Sequence, residues 1–278
     1  MTLPTYFVSH GGGPWPWMKD QYGPAYDRLE ASLKAMRHEA GERARAVLVV
    51  TSHWETPGFM VSSSSAPGMI YDYGGFPPHT YRIAYPAPGE PALARRVAGL
   101  LTAAGHPAGL DPERGFDHGT FSMLYPVYPD AAMPVVQLSL RRDLDPQAHI
   151  EAGRALAPLR DEGVLIVGSG LSYHNLRQFG AGGGAASRAF DGWLQETMAL
   201  APDARNAALL RWSDAPMARV AHPREEHLLP LMVASGAASG EPAACVYHED
   251  DFFGSLTVSS FRFGRVGGPP PTRSTNES

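Results

Sequence analysis

Three short apolar segments of this chain are each followed closely by a histidine. The segments span residues 5–9, 46–51 and 163–168, and the histidines that follow them are His10, His53 and His174. Short runs of β-branched and aliphatic residues are typical of strands that are buried on both faces of a parallel sheet. Because open α/β sheets bind ligands beyond the carboxyl ends of their strands, the three imidazoles stand where such a fold carries its chemistry.

The rest of the sequence alternates between helical and extended patterns. We expect helices over residues 24–44, 90–104, 146–160, 186–200 and 203–211, and further strands over residues 58–62, 134–140, 244–247 and 256–263. No internal repeat or linker divides the chain. We therefore predict a single α/β domain over residues 1–266, in which helices flank a central mixed, largely parallel sheet and a metal site lies at the strand C-terminal ends. The Gly-, Pro-, Ser- and Thr-rich tail at 267–278 is predicted to be disordered.

Composition excludes several classes of protein. The 278 residues carry a net charge of −5, which gives no reason to expect nucleic acid or an anionic membrane as a partner. The single cysteine, Cys245, allows no intrachain disulfide and no thiolate metal cluster, and it favours a reducing cytoplasm. The N-terminus lacks a signal-peptide pattern, and no apolar run approaches the roughly 20 residues of a membrane span. The oligomeric state is left open.

A fourth histidine, His227, follows two glutamates at an expected helix start. Converging neutral imidazoles suit Fe(II), Zn(II), Cu or Ni, whereas Mg and Ca prefer oxygen ligands. Two histidines with a third ligand and open positions are typical of O₂-using non-haem Fe(II), but zinc accepts three histidines and a water equally well. Any one of these histidines alone is more simply a turn or capping residue; four together favour a site.

The other histidines are interpreted more plainly. His118, between Asp117 and Gly119, either supports a metal ligand or contacts the substrate, or it is an ordinary turn residue. Surface positions are expected for His38, His106, His149 and His248.

Other motifs narrow the choice of enzyme class. The triple glycine at 11–13 is not followed by the Lys-Ser/Thr pair of a phosphate-binding loop. The chain also lacks the Gly-x-Ser-x-Gly pattern of serine hydrolases and the His-Glu-x-x-His pattern of zinc proteases. The aromatic, Pro-rich segment at 70–86 is too long for a simple connection and is typical of an ordered, functional loop.

Seven short blocks together resemble one known family. They are SHGGGP at 9–14, SHW at 52–54, DYGGFP at 72–77, YPAPG at 85–89, GFDHG at 115–119, HNL at 174–176 and EHLLPL at 226–231. In this order, and over nearly the whole chain, they resemble the DOPA 4,5-dioxygenase type of class III extradiol ring-cleavage dioxygenases. The segment after His10 departs from the bacterial pattern, because the triple glycine at 11–13 and the Trp-Pro-Trp at 15–17 replace a Gly-Ser-Pro, and this departure bears on the substrate more than on the chemistry.

The resemblance implies a set of roles. His10, His53 and His227 correspond to the metal ligands, with Fe(II) as the native ion and Zn(II) possible in purified protein. His174 corresponds to an acid/base that some descriptions count among the ligands. Related protocatechuate 4,5-dioxygenases use a glutamate as third ligand, which directs attention to Glu226.

The substrates implied are a small aromatic diol and O₂, and the product is a ring-opened semialdehyde. His118 would orient a substrate hydroxyl or support a ligand, and Trp54, Tyr73 and Phe76 would form the apolar walls around the ring. Which catechol is opened, and at which bond beside its hydroxyls, stays open.

Two alternatives use the same histidines. A zinc-dependent hydrolase would activate a metal-bound water and need no O₂. A non-catalytic protein would bind a metal or an aromatic ligand without turnover.

Overall fold

Eight strands form one sheet in the computed structural model, which describes residues 2–266. They are β1 (Thr5–Ser9), β2 (Ala46–Thr56), β3 (Phe59–Ser62), β4 (Ala108–Asp111), β5 (Val135–Arg141), β6 (Val164–Gly170), β7 (Ala243–Phe252) and β8 (Leu256–Phe263). Their order across the sheet is β4-β3-β5-β2-β6-β1-β8-β7. The central strands β5, β2, β6 and β1 are mutually parallel, whereas β3 and β8 pair antiparallel with β5 and β1. The predicted α/β class with a mixed, largely parallel sheet is confirmed.

Helices connect the strands and cover the sheet. They are α1 (Lys19–Tyr22), α2 (Asp27–Ala40), α3 (Pro91–Ala103), α4 (His118–Val127), α5 (Pro146–Leu156), α6 (Gly184–Ala199), α7 (Pro202–Leu210), α8 (Ala218–Ala221) and α9 (Leu229–Ala237). Carboxylates cap three of them: Glu90 accepts a backbone N–H at the start of α3, Asp117 at α4 and Asp145 at α5. Such caps satisfy amide groups that have no partner within the helix, which explains where these helices begin. The predicted tail at 267–278 lies outside the described residues.

Strand β6 is buried on both faces, as its apolar sequence indicated. A Cβ added to Gly168 would lie 2.4 Å from the carbonyl oxygen of Pro230, at the start of α9. The next residue, Ser169, points the other way and donates its hydroxyl hydrogen to the carbonyl of Gly119 in α4. Because successive side chains alternate between faces, α9 and α4 cover opposite sides of the same strand.

Two strands differ from the sequence prediction. β4 was missed, because its sequence Ala-Gly-Leu-Asp offers no apolar run and its residues are partly exposed. β2 continues to Thr56, so His53 lies within the strand and not after it. Pairing with β5 shifts from Val50 opposite Leu138 to Glu55 opposite Leu140, so five steps along β2 match two along β5. A bulge of this kind re-aims side chains, here those around His53.

His149 was expected at the surface, and that expectation is wrong. The side chain is fully buried; its Nε2 accepts the backbone N–H of Arg141, and its Nδ1 lies 2.7 Å from the carbonyl of Asp145. Burial lowers the pKa of His149 to about 4, so the ring is neutral and joins the end of β5 to the start of α5.

None of the helices within residues 2–266 combines the length and the apolar character needed to cross a membrane.

The contact between α5 and α9 depends on glycine. A Cβ at Gly153 in α5 would lie 2.2 Å from the carbonyl oxygen of Val233 in α9. We expect Gly153→Ala to lower the free energy of unfolding by about 1–3 kcal/mol, because the two helices must separate. In Gly99→Ala, within α3, the new methyl meets nothing within 4 Å, and we expect a gain of roughly 0.5–1 kcal/mol. Denaturant unfolding of both variants measures the difference; equal stabilities would contradict the close helix contact.

Candidate metal centre and active site

Three histidines from distant parts of the chain meet at the carboxyl end of the central strands. His10 directly follows β1, His53 lies in the bulge of β2, and His227 precedes α9. The Nε2 atom of His53 lies 3.2 Å from Nε2 of His10 and 3.3 Å from Nε2 of His227. The rings of His10 and His227 are buried, and that of His53 is largely so. The residues that the sequence grouped are therefore brought together by the fold.

Carboxylates fix the orientation of two of these rings. Nδ1 of His227 lies 2.9 Å from Oε1 of Glu226, and Nδ1 of His53 lies 3.2 Å from Oδ2 of Asp72. Since an ionised carboxylate only accepts hydrogen bonds, each Nδ1 carries the proton and each Nε2 presents a lone pair. Partners of this type hold metal-binding imidazoles in the correct tautomer.

A serine does the same for the third ring. Nδ1 of His10 lies 3.2 Å from Oγ of Ser169, whose own hydrogen is donated to the carbonyl of Gly119. The serine oxygen can then only accept, so Nδ1 of His10 is the donor and its Nε2 is free.

These three donors fit a divalent transition metal. Burial, followed by the neighbouring imidazoles, lowers the pKa of His10 and His227 well below the ordinary value and that of His53 to about 3, so all three rings are neutral. Lone pairs at these separations repel one another unless a cation lies between them. A metal bound about 2.0–2.1 Å from each of two imidazole nitrogens separates them by about 3.0–3.4 Å, in agreement with the distances here. Nitrogen donors favour a transition metal over Mg or Ca.

Asp72 connects the cluster to a fourth histidine. Oδ1 of Asp72 accepts both the backbone N–H and Nδ1–H of His118, each at 2.9 Å. His118 is the first residue of α4, and its ring centroid lies 4.1 Å from that of His53. Burial acts to raise the pKa of Asp72, but the hydrogen bonds from His118 and the nearby imidazoles outweigh it and lower that pKa to about 2. The carboxylate is therefore ionised and orients two rings at once.

Glu226 contacts two histidine rings, those of His227 and His174. Its Oε1 lies 3.2 Å from Nδ1 of His174, and the His174 ring stacks on that of His227 with centroids 3.4 Å apart. Burial raises the pKa of Glu226, yet the hydrogen bond with His174 and nearby positive charges leave it below its ordinary value. Glu226 thus lies behind the rings, on their Nδ1 side, and not beside the three converging Nε2 atoms.

A cavity of about 480 Å³ opens in front of the cluster. The four histidines at 10, 53, 118 and 227 line its inner end together with His174. Tyr73 and Phe76, two of the three residues expected to surround the substrate ring, line this cavity. Trp54 does not: the side chain is buried, with the Arg114 guanidinium 4.9 Å from its ring. Because neighbouring strand residues face opposite sides, a His53 that faces the cavity directs Trp54 away from it.

The triple glycine packs against the cavity's aromatic walls. A Cβ on Gly13 would lie 2.6 Å from the Phe76 ring, and the backbone of Gly13 has a φ of +53°, which favours glycine. The N–H of Gly12 donates to the hydroxyl of Tyr26, another lining residue.

Comparison with known proteins now identifies the family. Residues 4–260 match the family described as the catalytic LigB subunit of aromatic ring-opening dioxygenase. The chain belongs to this family. It is accordingly a metal-dependent, non-haem extradiol dioxygenase that opens an aromatic ring with O₂. Neither the family nor the relatives supports the hydrolase alternative.

The similar proteins are matched over most of their length. The 4,5-DOPA dioxygenase extradiol of Beta vulgaris is 37% identical over 264 residues, which are 93% of this chain and 96% of the relative. The Escherichia coli K12 protein of the same name is 35% identical over 268 residues, covering 94% and 95%. Dioxygenase tasH of Hapsidospora irregularis is 36% identical, covering 90% and 82%. A crystal structure of an uncharacterized E. coli K12 protein superposes with a TM-score of 0.76 at 32% identity, covering 94% of this chain and 100% of the other.

Sequence reasoning missed several residues of the dioxygenase cavity. Asp72 begins the DYGGFP block, and an acidic side chain among aromatic residues could have indicated a role in the site. Its partner His118, however, is 46 positions away in the sequence. Phe252 and Phe253 lie at the turn between β7 and β8, where no local pattern points to the site.

The carboxylate of Asp72 yields a test of the cluster. We expect Asp72→Asn to weaken divalent-metal binding about 10- to 100-fold, because an amide loses the charge and can place an N–H against the rings. Competition with a chromophoric chelator measures this affinity in metal-free protein. Asp143→Asn, at an exposed ion pair with Arg141, is the control and should bind metal as the wild type does. Unchanged affinity in Asp72→Asn would show that the carboxylate does not orient the ligands.

Proposed function

We propose that the enzyme binds Fe(II) through His10, His53 and His227 and opens a catechol beside its two hydroxyl groups. The observation that carries this proposal is the convergence of three neutral imidazole lone pairs at the closed end of an aromatic-lined cavity. Zn(II) in a purified sample would be consistent with it, since zinc outcompetes Fe(II) at such sites. The names of the relatives make DOPA one candidate catechol.

The metal ion would act as a Lewis acid for the substrate hydroxyls and carry electrons between the ring and O₂. The chain's own part is to hold the ring and move protons. Tyr73 and Phe76 lie 5.2 Å apart in an edge-to-face arrangement and would confine an aromatic ring near the histidines. Their apolar surfaces would exclude water from the reacting atoms.

His174 is the proposed acid/base. Because Glu226 accepts the hydrogen bond from Nδ1, the Nε2 atom of His174 is free to take a proton from a catechol hydroxyl and return it later. An imidazole can act both as the base and as the acid of such a proton transfer. Stacking on His227 keeps this ring beside the cluster without adding it to the three converging donors.

His118 is proposed to position the substrate. Its Nδ1 is engaged by Asp72, so its Nε2 is left to hydrogen-bond a substrate hydroxyl in the cavity. We further propose that residues 1–266 form the catalytic domain and that the enzyme works in the cytoplasm, as its single cysteine suggests.

Oxygen uptake tests the reaction and the metal together. Protein loaded anaerobically with Fe(II) should consume O₂ when given catechols, DOPA among them, and release a coloured ring-opened product. The zinc-loaded protein should consume none. If no catechol causes O₂ uptake and the zinc-loaded protein catalyses a hydrolysis, the proposal is wrong and the zinc-dependent hydrolase is favoured.

Two substitutions separate binding of the metal from proton transfer. We expect His53→Ala to lose metal and turnover together, since it removes one of the three donors. His174→Gln should keep most of its metal but lose roughly 10²- to 10⁴-fold in turnover, the usual contribution of an acid/base. Metal content and O₂ uptake are measured on both, with His38→Ala, on the exposed side of α2, as control. If His174→Gln is as metal-free as His53→Ala, the proposed division of roles is wrong.

A further inference from the structure

The outer part of the cavity differs in character from its inner end. Beyond the histidines it is lined by aliphatic and aromatic side chains, among them Leu171, Leu176, Phe179, Phe252, Phe253 and Val258. Among the described lining residues there is no lysine or arginine, and the one carboxylate is Asp72 at the inner end. With about 480 Å³, the cavity falls in the roughly 300–1,000 Å³ range of sites that enclose drug-sized ligands. It is larger than a bare catechol requires.

Two guanidinium groups lie near the cluster, but both are already paired with carboxylates of the protein. Arg114 donates to Oδ2 of Asp117 at 2.6 Å and to the carbonyl of His53 at 3.2 Å. Arg224 forms a two-pronged ion pair with Glu55, and its guanidinium also lies 3.5 Å from Oε2 of Glu226. A carboxylate on a ligand in the cavity would therefore lose its water without gaining a cation in exchange, which is unfavourable.

The mouth of the cavity exposes apolar surface to water. Leu176 is 72% exposed, Phe179 40% and Phe253 37%. The rings of Phe179 and Phe253 lie 5.4 Å apart and form one patch, and Leu176 lines the same cavity. Phe253 also has a φ of +49°, which is rare for a bulky side chain and is kept where the surroundings require it. Exposed apolar surface that continues into a cavity is typical of a binding site.

We propose that the substrate is a catechol with an uncharged, apolar substituent that runs from the histidines to the mouth at Leu176, Phe179 and Phe253. The inference rests on the proposed function, since it assumes that the catechol ring binds at the histidine cluster. The substituent lies along Leu171, Phe252 and Val258 and gains affinity from the water it displaces. Catechols that carry a carboxylate, DOPA included, are poorer substrates.

A matched pair of ligands tests the charge. 3-(3,4-Dihydroxyphenyl)propanoic acid and its methyl ester share ring and chain and differ in ionisation. We expect the ester to exceed the acid at least about tenfold in kcat/KM with Fe(II)-loaded enzyme, and in affinity for zinc-loaded protein measured by calorimetry. Along the series from 4-methyl- to 4-pentylcatechol, affinity should rise about fourfold for each methylene that becomes buried.

A charge introduced at the mouth should reverse the preference. Leu176 is exposed enough to be replaced without disturbing the fold, and Leu176→Arg offers a carboxylate the missing cation. We expect the ester-to-acid ratio to fall about tenfold in this variant. Leu200→Arg, at an exposed position after α6 that does not line the cavity, should keep the wild-type ratio.

The two readouts distinguish the possible failures. If catechols are turned over and the acid equals or exceeds the ester, the inference is overturned and the proposed function stands. If zinc-loaded protein prefers the ester but the Fe(II) enzyme consumes no O₂ with any catechol, the ligand class is supported and the proposed function fails. If no catechol binds or reacts, both are overturned.

Discussion

The site depends on the polar partner that lies against the Nδ1 atom of each ligand ring. Ser169 and Glu226 accept from His10 and His227, Asp72 lies 3.2 Å from Nδ1 of His53, and this leaves three Nε2 lone pairs facing one another. In water, such an arrangement would separate or take up protons. Here burial prevents protonation, and the surrounding backbone prevents separation. The cluster is consequently prepared for a cation before one binds, which reduces the reorganisation that binding requires.

The groups that hold the three ligand rings come from different parts of the fold, so each ring is fixed by a separate element. Ser169 is part of the central strand β6, while Glu226 precedes α9 and Asp72 belongs to the aromatic segment between β3 and α3. Asp72 also receives the first N–H of α4, so the aromatic segment is tied to the helix that carries His118. A displacement of any one element would misplace a ring.

The fold and the histidine cluster were predictable because their signals are local. A buried strand requires a continuous apolar run, and parallel strands bring the residues after them to one edge of the sheet. The direction of Trp54 was missed because the predicted strand ended at residue 51, whereas β2 continues to Thr56, so that strand alternation turns Trp54 away from the side that His53 faces. The partners of Asp72 and the contribution of Phe252 and Phe253 arise from contacts between segments far apart in sequence. Likewise, His149 is buried because α5 packs against β5. The sequence did not indicate this burial, because the residues around His149 are polar.

The close approach of β6 to the chain before α9 has a consequence for how this enzyme can change. A Cβ on Gly170 would lie 2.1 Å from the carbonyl oxygen of His227, so the backbone itself sets the position of that histidine. The outer wall of the cavity is instead built from turns: the loop after β6 with Leu176 and Phe179, and the β7–β8 hairpin with Phe253. Substitutions in these turns leave the backbone contacts of the cluster intact. A lineage with this scaffold can therefore exchange one aromatic substrate for another by altering surface loops, while the reaction at the sheet edge is inherited unchanged.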